Sequence, residues 1–259
     1  MGSKRRILDD LLAYFPKVDN FVEPFFGGGN VGLACIEKGI AKRYFFSDLN
    51  PDLMDFWMSL KNDFPLLLTQ IRRYHDKNNA QDFNKIRHQH LHYQTDRGAR
   101  FFYLVRNSYR GLWRVNLQGE FNAPFSTEKK GEIDEKQMAW ISTLLNTNEV
   151  WFMCYDYREV LKKEYMGSTL VYLDPPYYKT YGGYTKDSFN KHDQVVLHEW
   201  FIKMRDKGYK VVESNSDTPF IRDLYKDCDI YEIAINHNAN FSDSSELTSE
   251  LLILSRDQV

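Results

Sequence analysis

The sequence predicts an α/β fold: a doubly wound, mostly parallel sheet of about seven strands with an inserted, mainly helical domain. Three observations predict it. Short apolar runs rich in β-branched and aromatic residues recur and end at an acid, at Asp48, Asp156 and Asp174, as strands buried on both faces do. Helical periodicities separate the early runs, which calls for parallel pairing through crossovers. Between residues 52 and 148 this alternation stops, over a stretch too long for an ordinary connection. The expected boundaries are a catalytic domain of residues 1–54 and 149–259 and an inserted domain of residues 55–148.

In chain order, residues 4–15 place Ile7, Leu8, Leu11, Leu12 and Phe15 at helical spacing and stop at Pro16. Lys4, Arg5 and Arg6 oppose the dipole of that helix, leaving a solvated basic end or an anionic ligand as readings. The run from Phe21 to Gly32 (FVEPFFGGGNVG) reads as strand, glycine turn and helix, the helix reaching Lys38. Gly27, Gly29 and Gly32 satisfy G-x-G-x-x-G, and a second strand, Lys42 to Ser47, ends at Asp48. An acid about 20 residues beyond such glycines suits the two hydroxyls of a ribose. The block points to a nucleoside-bearing cofactor, with NAD and S-adenosylmethionine both open.

Inside the insertion, Trp57 to Tyr74 and Gln81 to Tyr93 have helical periodicity. Residues 97–119 hold five arginines and no acid. Arg106, Tyr109 and Arg110 are expected on the exposed side of a helix whose buried face is Phe101, Leu104, Val105 and Ser108. Arg114 and Asn116 follow on a hairpin turning through Gly119, whose second limb is Glu120 to Phe125. Arginines interleaved with aromatics suit phosphate contact, base-edge bonding and intercalation. His88, His90 and His92 alternate, but only His88 and His92 would share a helix face and no acid or Cys stands at ligand spacing, so no metal is expected.

After the insertion, strands are expected at Val150 to Tyr155, Thr169 to Leu173 and Lys210 to Val212, the last running into Glu213 to Asp217. A Tyr- and Gly-rich loop, Tyr177 to Tyr184, precedes a helix from Lys191 to Lys207. Asp229 to Asn236 and Leu247 to Leu254 close the chain as an antiparallel pair at the sheet edge. Within this frame Ser168 to Tyr177 (STLVYLDPPY) is a buried strand cut off by Pro175 and Pro176, which cannot donate to a ladder. The chain leaves the sheet at Asp174, where a carboxylate, free carbonyls and the ring of Tyr177 gather at a strand's carboxyl end. Acceptors beside a flat ring suit a planar group with an amino function, such as a nucleobase.

Composition narrows the classes. The net charge of −2 excludes a global basic field, so any nucleic-acid surface is a local patch. Cys35, Cys154 and Cys228 are odd in number and far apart, which argues against a disulfide framework or a zinc site. No apolar run approaches the roughly 18 residues of a membrane span, and Met1-Gly2 lacks the Ser or Thr at position 6 of a myristoylation signal, since Arg6 stands there. A soluble, cytoplasmic protein is expected.

Six ordered blocks resemble the Dam-type DNA adenine N6-methyltransferases (D12 class, alpha group) over nearly the whole chain. They are G-S-K at Gly2 to Lys4, V-E-P-F-F-G-G-G-N at 22–30, S-D-L-N at 47–50, R-G-L-W-R-V-N-L-Q-G-E-F-N-A-P-F at 110–125, D-P-P-Y at 174–177 and S-N-S-D-T at 214–218. The resemblance implies the class I methyltransferase fold, S-adenosylmethionine as cofactor, and an adenine in a short duplex DNA sequence, often GATC, as substrate. It implies a cofactor pocket of Gly2, Lys4, Phe25, Gly27, Gly28, Gly29, Asn30, Asp48, Asp156, Tyr157 and Asp174. Asp174, Pro175, Pro176 and Tyr177 would act on the adenine. Arg106, Tyr109, Arg110, Leu112, Arg114, Asn116 and Tyr184 would contact DNA. The enzyme would work as a monomer or weak dimer, without metal, in a role such as restriction-modification.

The chain also departs from that pattern. The family's aromatic residue four positions before the matching lysine has no counterpart ahead of Lys4. Arg110 stands where the family often has Asn, P-F-S-T-E at 124–128 replaces P-F-G-R-Y, and the loop from Asn236 to Glu246 is acidic rather than basic. These departures leave the target sequence open, GATC being one candidate. A catalytically silent DNA- or cofactor-binding relative and N6-adenine methylation of RNA are the alternative readings.

Overall fold

The computed structural model describes residues 8–116, 118–128, 132–178, 189–235 and 248–256. Gly2, Lys4, Arg5, Arg6 and Tyr184, with the Tyr- and Gly-rich loop past Tyr178 and the acidic loop of 236–246, lie outside the described residues. The chain divides into two compact units, one of Asp48–Cys154 and one of Ser3–Ser47 with Tyr155–Val259.

Seven strands make a mixed, mostly parallel sheet: β1 Val18–Glu23, β2 Ala41–Ser47, β3 Glu149–Met153, β4 Thr169–Leu173, β5 Lys210–Ser216, β6 Asp229–Ile235 and β7 Thr248–Leu254. Their order is β3-β2-β1-β4-β5-β7-β6. Strand β1 runs parallel to β2 and β4, and β4 parallel to β5. Strand β7 is antiparallel to both β5 and β6, so the closing pair forms the sheet edge. All five residues of β4 are buried, which is why that strand reads as an unbroken apolar run. Its flanks are filled by rings: Phe15 packs on Tyr172 at 5.5 Å and Phe21 lies edge-on to Phe46 at 6.3 Å.

Two helices of the unit that includes Tyr155–Val259 begin at side-chain caps. Asn190 and Asp193 form a reciprocal capping box at the start of α9 (Lys191–Asp206). Thr218 caps the short α10 (Pro219–Leu224), which has Pro219 in its first turn. The first helix, α1, is described over Leu8–Leu12 and buries Leu11 and Leu12.

The unit of Asp48–Cys154 holds β3 and is otherwise mainly helical: α3 Pro51–Asn62, α4 Phe64–Arg72, α5 Ala80–Arg87, α6 Gln94–Asn107 and α7 Glu135–Asn146. Helices α3 and α6 cross closely because Gly98 has no side chain; a Cβ there would lie 2.8 Å from Phe56 Cα. Arg97 pairs with Asp55 at 2.6 Å and Arg100 with Asp52 at 3.0 Å along the same contact. A second apolar cluster of Phe83, Ile86, Tyr103, Leu104 and Phe121 seats the hairpin on α5 and α6.

Several expected boundaries are corrected. The helix expected from Trp57 to Tyr74 is two helices broken at Asp63, because Pro65 has no N–H and sits in the first turn of α4. Helix α5 stops at Arg87, with His88 as its C-cap, so His88 and His92 share no helix face. The strand expected to reach Tyr155 ends at Met153. Strand β5 runs on through Ser216, with every residue from Val211 buried. The polar residues beyond Val212 belong to the strand, because each buried polar side chain there finds a partner inside the fold. Helices α7, α8 (Tyr157–Lys162) and α10 are additions to the expected elements; α8 and α10, six residues each, are too short to show a period.

Candidate active site

The glycine turn follows β1 and leads into helix α2, Asn30–Glu37. Its glycines serve different ends. Gly27 has φ 49° and Gly29, the N-cap of α2, has φ 71°, the left-handed region that other residues avoid. Gly32 is required by packing, since a Cβ would fall 2.6 Å from Glu23 Oε2 and 2.7 Å from Phe26 Cε2. Gly28 has neither constraint: its backbone is ordinary, and a Cβ would meet only Asn30 Nδ2 at 3.7 Å. No side chain caps the first turn of α2, leaving its N–H groups for solvent or an acceptor.

Beside this turn lies an aromatic cluster. Phe25 stacks on Tyr157 with ring centroids 5.2 Å apart, and Phe189 stands edge-on to Phe25 at 6.1 Å. Phe189 is a member that the sequence reading missed, because a lone Phe after an irregular loop carries no pattern. Burial pushes the Tyr157 hydroxyl up to about 12. Asp156 caps α8 through the Arg158 N–H at 2.9 Å and grips the Arg158 guanidinium at 2.7 and 2.9 Å. That fork holds the Asp156 carboxyl below its usual range.

Asp174 leaves β4 one strand away from the glycine turn, because Val22 of β1 pairs directly with Val171 of β4. Both segments therefore emerge from the carboxyl ends of adjacent parallel strands, where ligands bind in open α/β sheets. Asp174 is half-buried and Pro175 buried. The Pro176 carbonyl accepts from Gln194 Nε2 at 3.0 Å, and the Tyr178 carbonyl from Ser216 Oγ at 2.9 Å. Tyr177 donates its hydroxyl hydrogen to Glu250. Burial and the nearby Asp174 carboxylate hold that phenol well above its usual range. Glu250 is 4% exposed and Glu213 is 0% exposed. Neither acid was singled out from sequence, since nothing along the chain marks an acid within a strand as buried. Burial pushes the Glu213 carboxyl up to about 7, against hydrogen bonds from Tyr225 and Asn215 that favour its charged form.

The remaining expected residues sit in the helical unit. The Asp48 carboxylate accepts from the Asn50 N–H at 3.0 Å, and the Asn50 side chain caps α3. The expected exposure of Arg106 is corrected: it is half-buried and lines a cleft of about 250 Å³, because Tyr74, His75 and Lys77 pack beside this face of α6. Burial lowers its guanidinium below the usual range. Tyr109 and Leu112 are exposed at 45% and 44%. Arg110 adopts φ 54° and lays its guanidinium over the Tyr109 ring at 5.2 Å. Arg114 reaches across its hairpin to Asn122, with 2.7 Å to Oδ1 and 3.0 Å to the carbonyl. The Asn116 amide builds the hairpin turn, accepting from Gln118 and Glu120 N–H groups and donating to the Glu120 carboxylate. Among the described residues no group of three or more His, Cys, Asp or Glu is arranged to hold a metal, and no helix is long and apolar enough to cross a membrane.

Known proteins place this arrangement in context. The Type II methyltransferase M1.LlaDCHI of Lactococcus lactis subsp. cremoris is 30% identical over 266 residues, covering 97% of this chain and 92% of that protein. The retron Ec67 DNA adenine methylase of Escherichia coli is 32% identical over 231 residues, covering 87% and 78%. The DNA adenine methylase of Vibrio cholerae is 29% identical over 247 residues, covering 91% and 86%. A model of the D12 class N6 adenine-specific DNA methyltransferases matches residues 1–238, and with that match the chain belongs to this family of DNA adenine methyltransferases.

Proposed function

We propose that this enzyme transfers a methyl group from S-adenosylmethionine to N6 of an adenine flipped out of a short duplex DNA sequence. The observation that carries the reading is the emergence of the glycine turn and Asp174 from the same end of paired strands β1 and β4. The residues present fit the cofactor: Gly28 is exposed and a Cβ there would meet only Asn30 Nδ2 at 3.7 Å, and the half-buried Phe25, backed by the buried Tyr157, stands at the same turn. S-adenosylmethionine, when bound, supplies an activated methyl group.

The chain's own part is alignment and electrostatics. The Asp174 carboxylate and the Pro175 carbonyl accept the two N–H bonds of the adenine amino group. That draws its delocalised lone pair back onto N6 and makes it the nucleophile. As N6 gains a methyl group it sheds a proton, which Asp174 is placed to hold. Tyr177 presents its ring to the extruded base, and its bond to Glu250 limits the ring's rotation. In the helical unit, Tyr109, Arg110, Leu112 and Arg114 contact DNA, the two arginines reading phosphates or base edges.

The test is to express the protein in a host free of N6-methyladenine and to sequence the host DNA with a read-out sensitive to that base. N6-methyladenine within one short motif is expected. Unmodified DNA from cells holding folded protein would overturn the reading.

A further inference from the structure

The block S-N-S-D-T lies at the end of β5 and has no chemistry in the reading above. Asn215 is its organising member. Its Oδ1 accepts from the Ser216 N–H at 2.9 Å, so its Nδ2 is committed as a donor. That Nδ2 reaches Glu213 Oε1 at 2.8 Å and Gln194 Oε1 at 3.0 Å. Gln194, fully buried on α9, then has only its Nε2 to offer, and this donates to the Pro176 carbonyl at 3.0 Å. Glu213 is held from its other side by the Tyr225 hydroxyl at 2.6 Å.

The chain of bonds has one polarity. Flipping Asn215 would set its oxygen against those of Glu213 and Gln194 and aim its NH₂ at the Ser216 N–H. Flipping Gln194 would oppose its oxygen to the Pro176 carbonyl. Apolar side chains of similar volume can often fill such a site as well, so what sets this network apart is where it ends. What it does accomplish is local: it fixes the peptide plane between Pro176 and Tyr177. Ser216 Oγ adds a second hold on the Tyr178 carbonyl at 2.9 Å.

We infer that Gln194, oriented by Asn215 and Glu213, is a positioning residue that sets the backbone of the Asp174 to Tyr177 segment for methyl transfer. The relay withdraws the Pro176 carbonyl from competition as an acceptor, leaving Asp174 and the Pro175 carbonyl to define where the amino group sits. The inference rests on the methyl-transfer reading of Asp174.

The experiment compares wild type, Gln194→Leu and Gln194→Glu with tritiated S-adenosylmethionine and DNA from a host lacking N6-methyladenine, scoring kcat per titrated active site. Gln194→Leu is expected to lower kcat by about 10- to 100-fold, the cost of a small misplacement of reacting groups, while both KM values stay within about twofold. Gln194→Glu can donate to the carbonyl only when protonated, so its kcat relative to wild type should recover as pH falls from about 8 to about 6. It also carries the test where Gln194→Leu does not fold. A kcat per active site equal to wild type in the Leu variant, with only thermal stability reduced, would overturn the inference, and so would a Glu variant whose relative kcat is flat with pH. Wild-type protein that binds cofactor and DNA without transferring a methyl group would overturn the methyl-transfer reading instead, and the relay with it.

Discussion

Tyr225 donates its hydroxyl hydrogen to Glu213 Oε2 at 2.6 Å, and Glu213 has no exposed surface. Its carboxyl is pushed from the usual 4.5 up to about 7, chiefly by burial and in part by Asp174. A raised folded-state value means that the folded protein holds this proton more tightly than the unfolded chain. The group's contribution to stability is therefore complete below 4.5 and lost as pH rises through about 7. At about 1.4 kcal/mol per pH unit the loss is on the order of 3 kcal/mol. Glu213→Gln should flatten the pH dependence across that window, measured by urea denaturation at a series of pH values. Curves for the two proteins that stay parallel would show that Glu213 is not the group responsible.

Asp174→Ala is expected to lower kcat by about 10² to 10³, the typical effect of removing a hydrogen bond made to the reacting group. DNA affinity by fluorescence anisotropy should remain close to wild type, because most of the proposed DNA contacts are assigned to the helical unit and only one base is proposed to meet Asp174. Turnover near the wild-type value would remove Asp174 from the mechanism.

Gly28→Ala separates fold from ligand. The position accepts a Cβ with ordinary contacts, so stability should change by no more than about 0.5 kcal/mol. Affinity for S-adenosylmethionine by calorimetry should fall, because the added methyl occupies space assigned to the cofactor. Unchanged affinity would place the cofactor elsewhere.

Gly98→Ala makes the opposite case. A Cβ 2.8 Å from Phe56 Cα meets backbone that cannot turn aside, and overpacking of this kind costs about 1–3 kcal/mol. A lower thermal midpoint is expected, and a midpoint equal to wild type would mean that α3 and α6 separate readily.

Arg114→Ala is expected to relax the recognition sequence at one position, since an arginine fork on guanine discriminates by about 1–3 kcal/mol. Its tie to Asn122 adds a condition, because the fork must offer its other edge or let go of the hairpin on binding. Methylation rates on cognate and single-mismatch duplexes decide the matter. An equal drop on both would assign Arg114 to the hairpin or to a phosphate.

Part of this fold is written in local rules. The run from Thr169 to Leu173 announces a strand buried on both faces, the prolines after Asp174 end it, and Gly27 and Gly29 mark backbone that other residues avoid. These signals survive without an alignment because each follows from a residue's own sterics or polarity. Tertiary structure alone decided which distant groups meet. The polar end of β5 carries no apolar strand pattern; pairing with β7 makes it a strand, and Tyr225 and Gln194 satisfy its buried side chains. Arg106 looks exposed by helical period, yet the residues from Tyr74 to Lys77 close over it. Glu250 and Phe189 carry no signal along the chain because their significance lies in the partners, Tyr177 and Phe25, that folding brings to them.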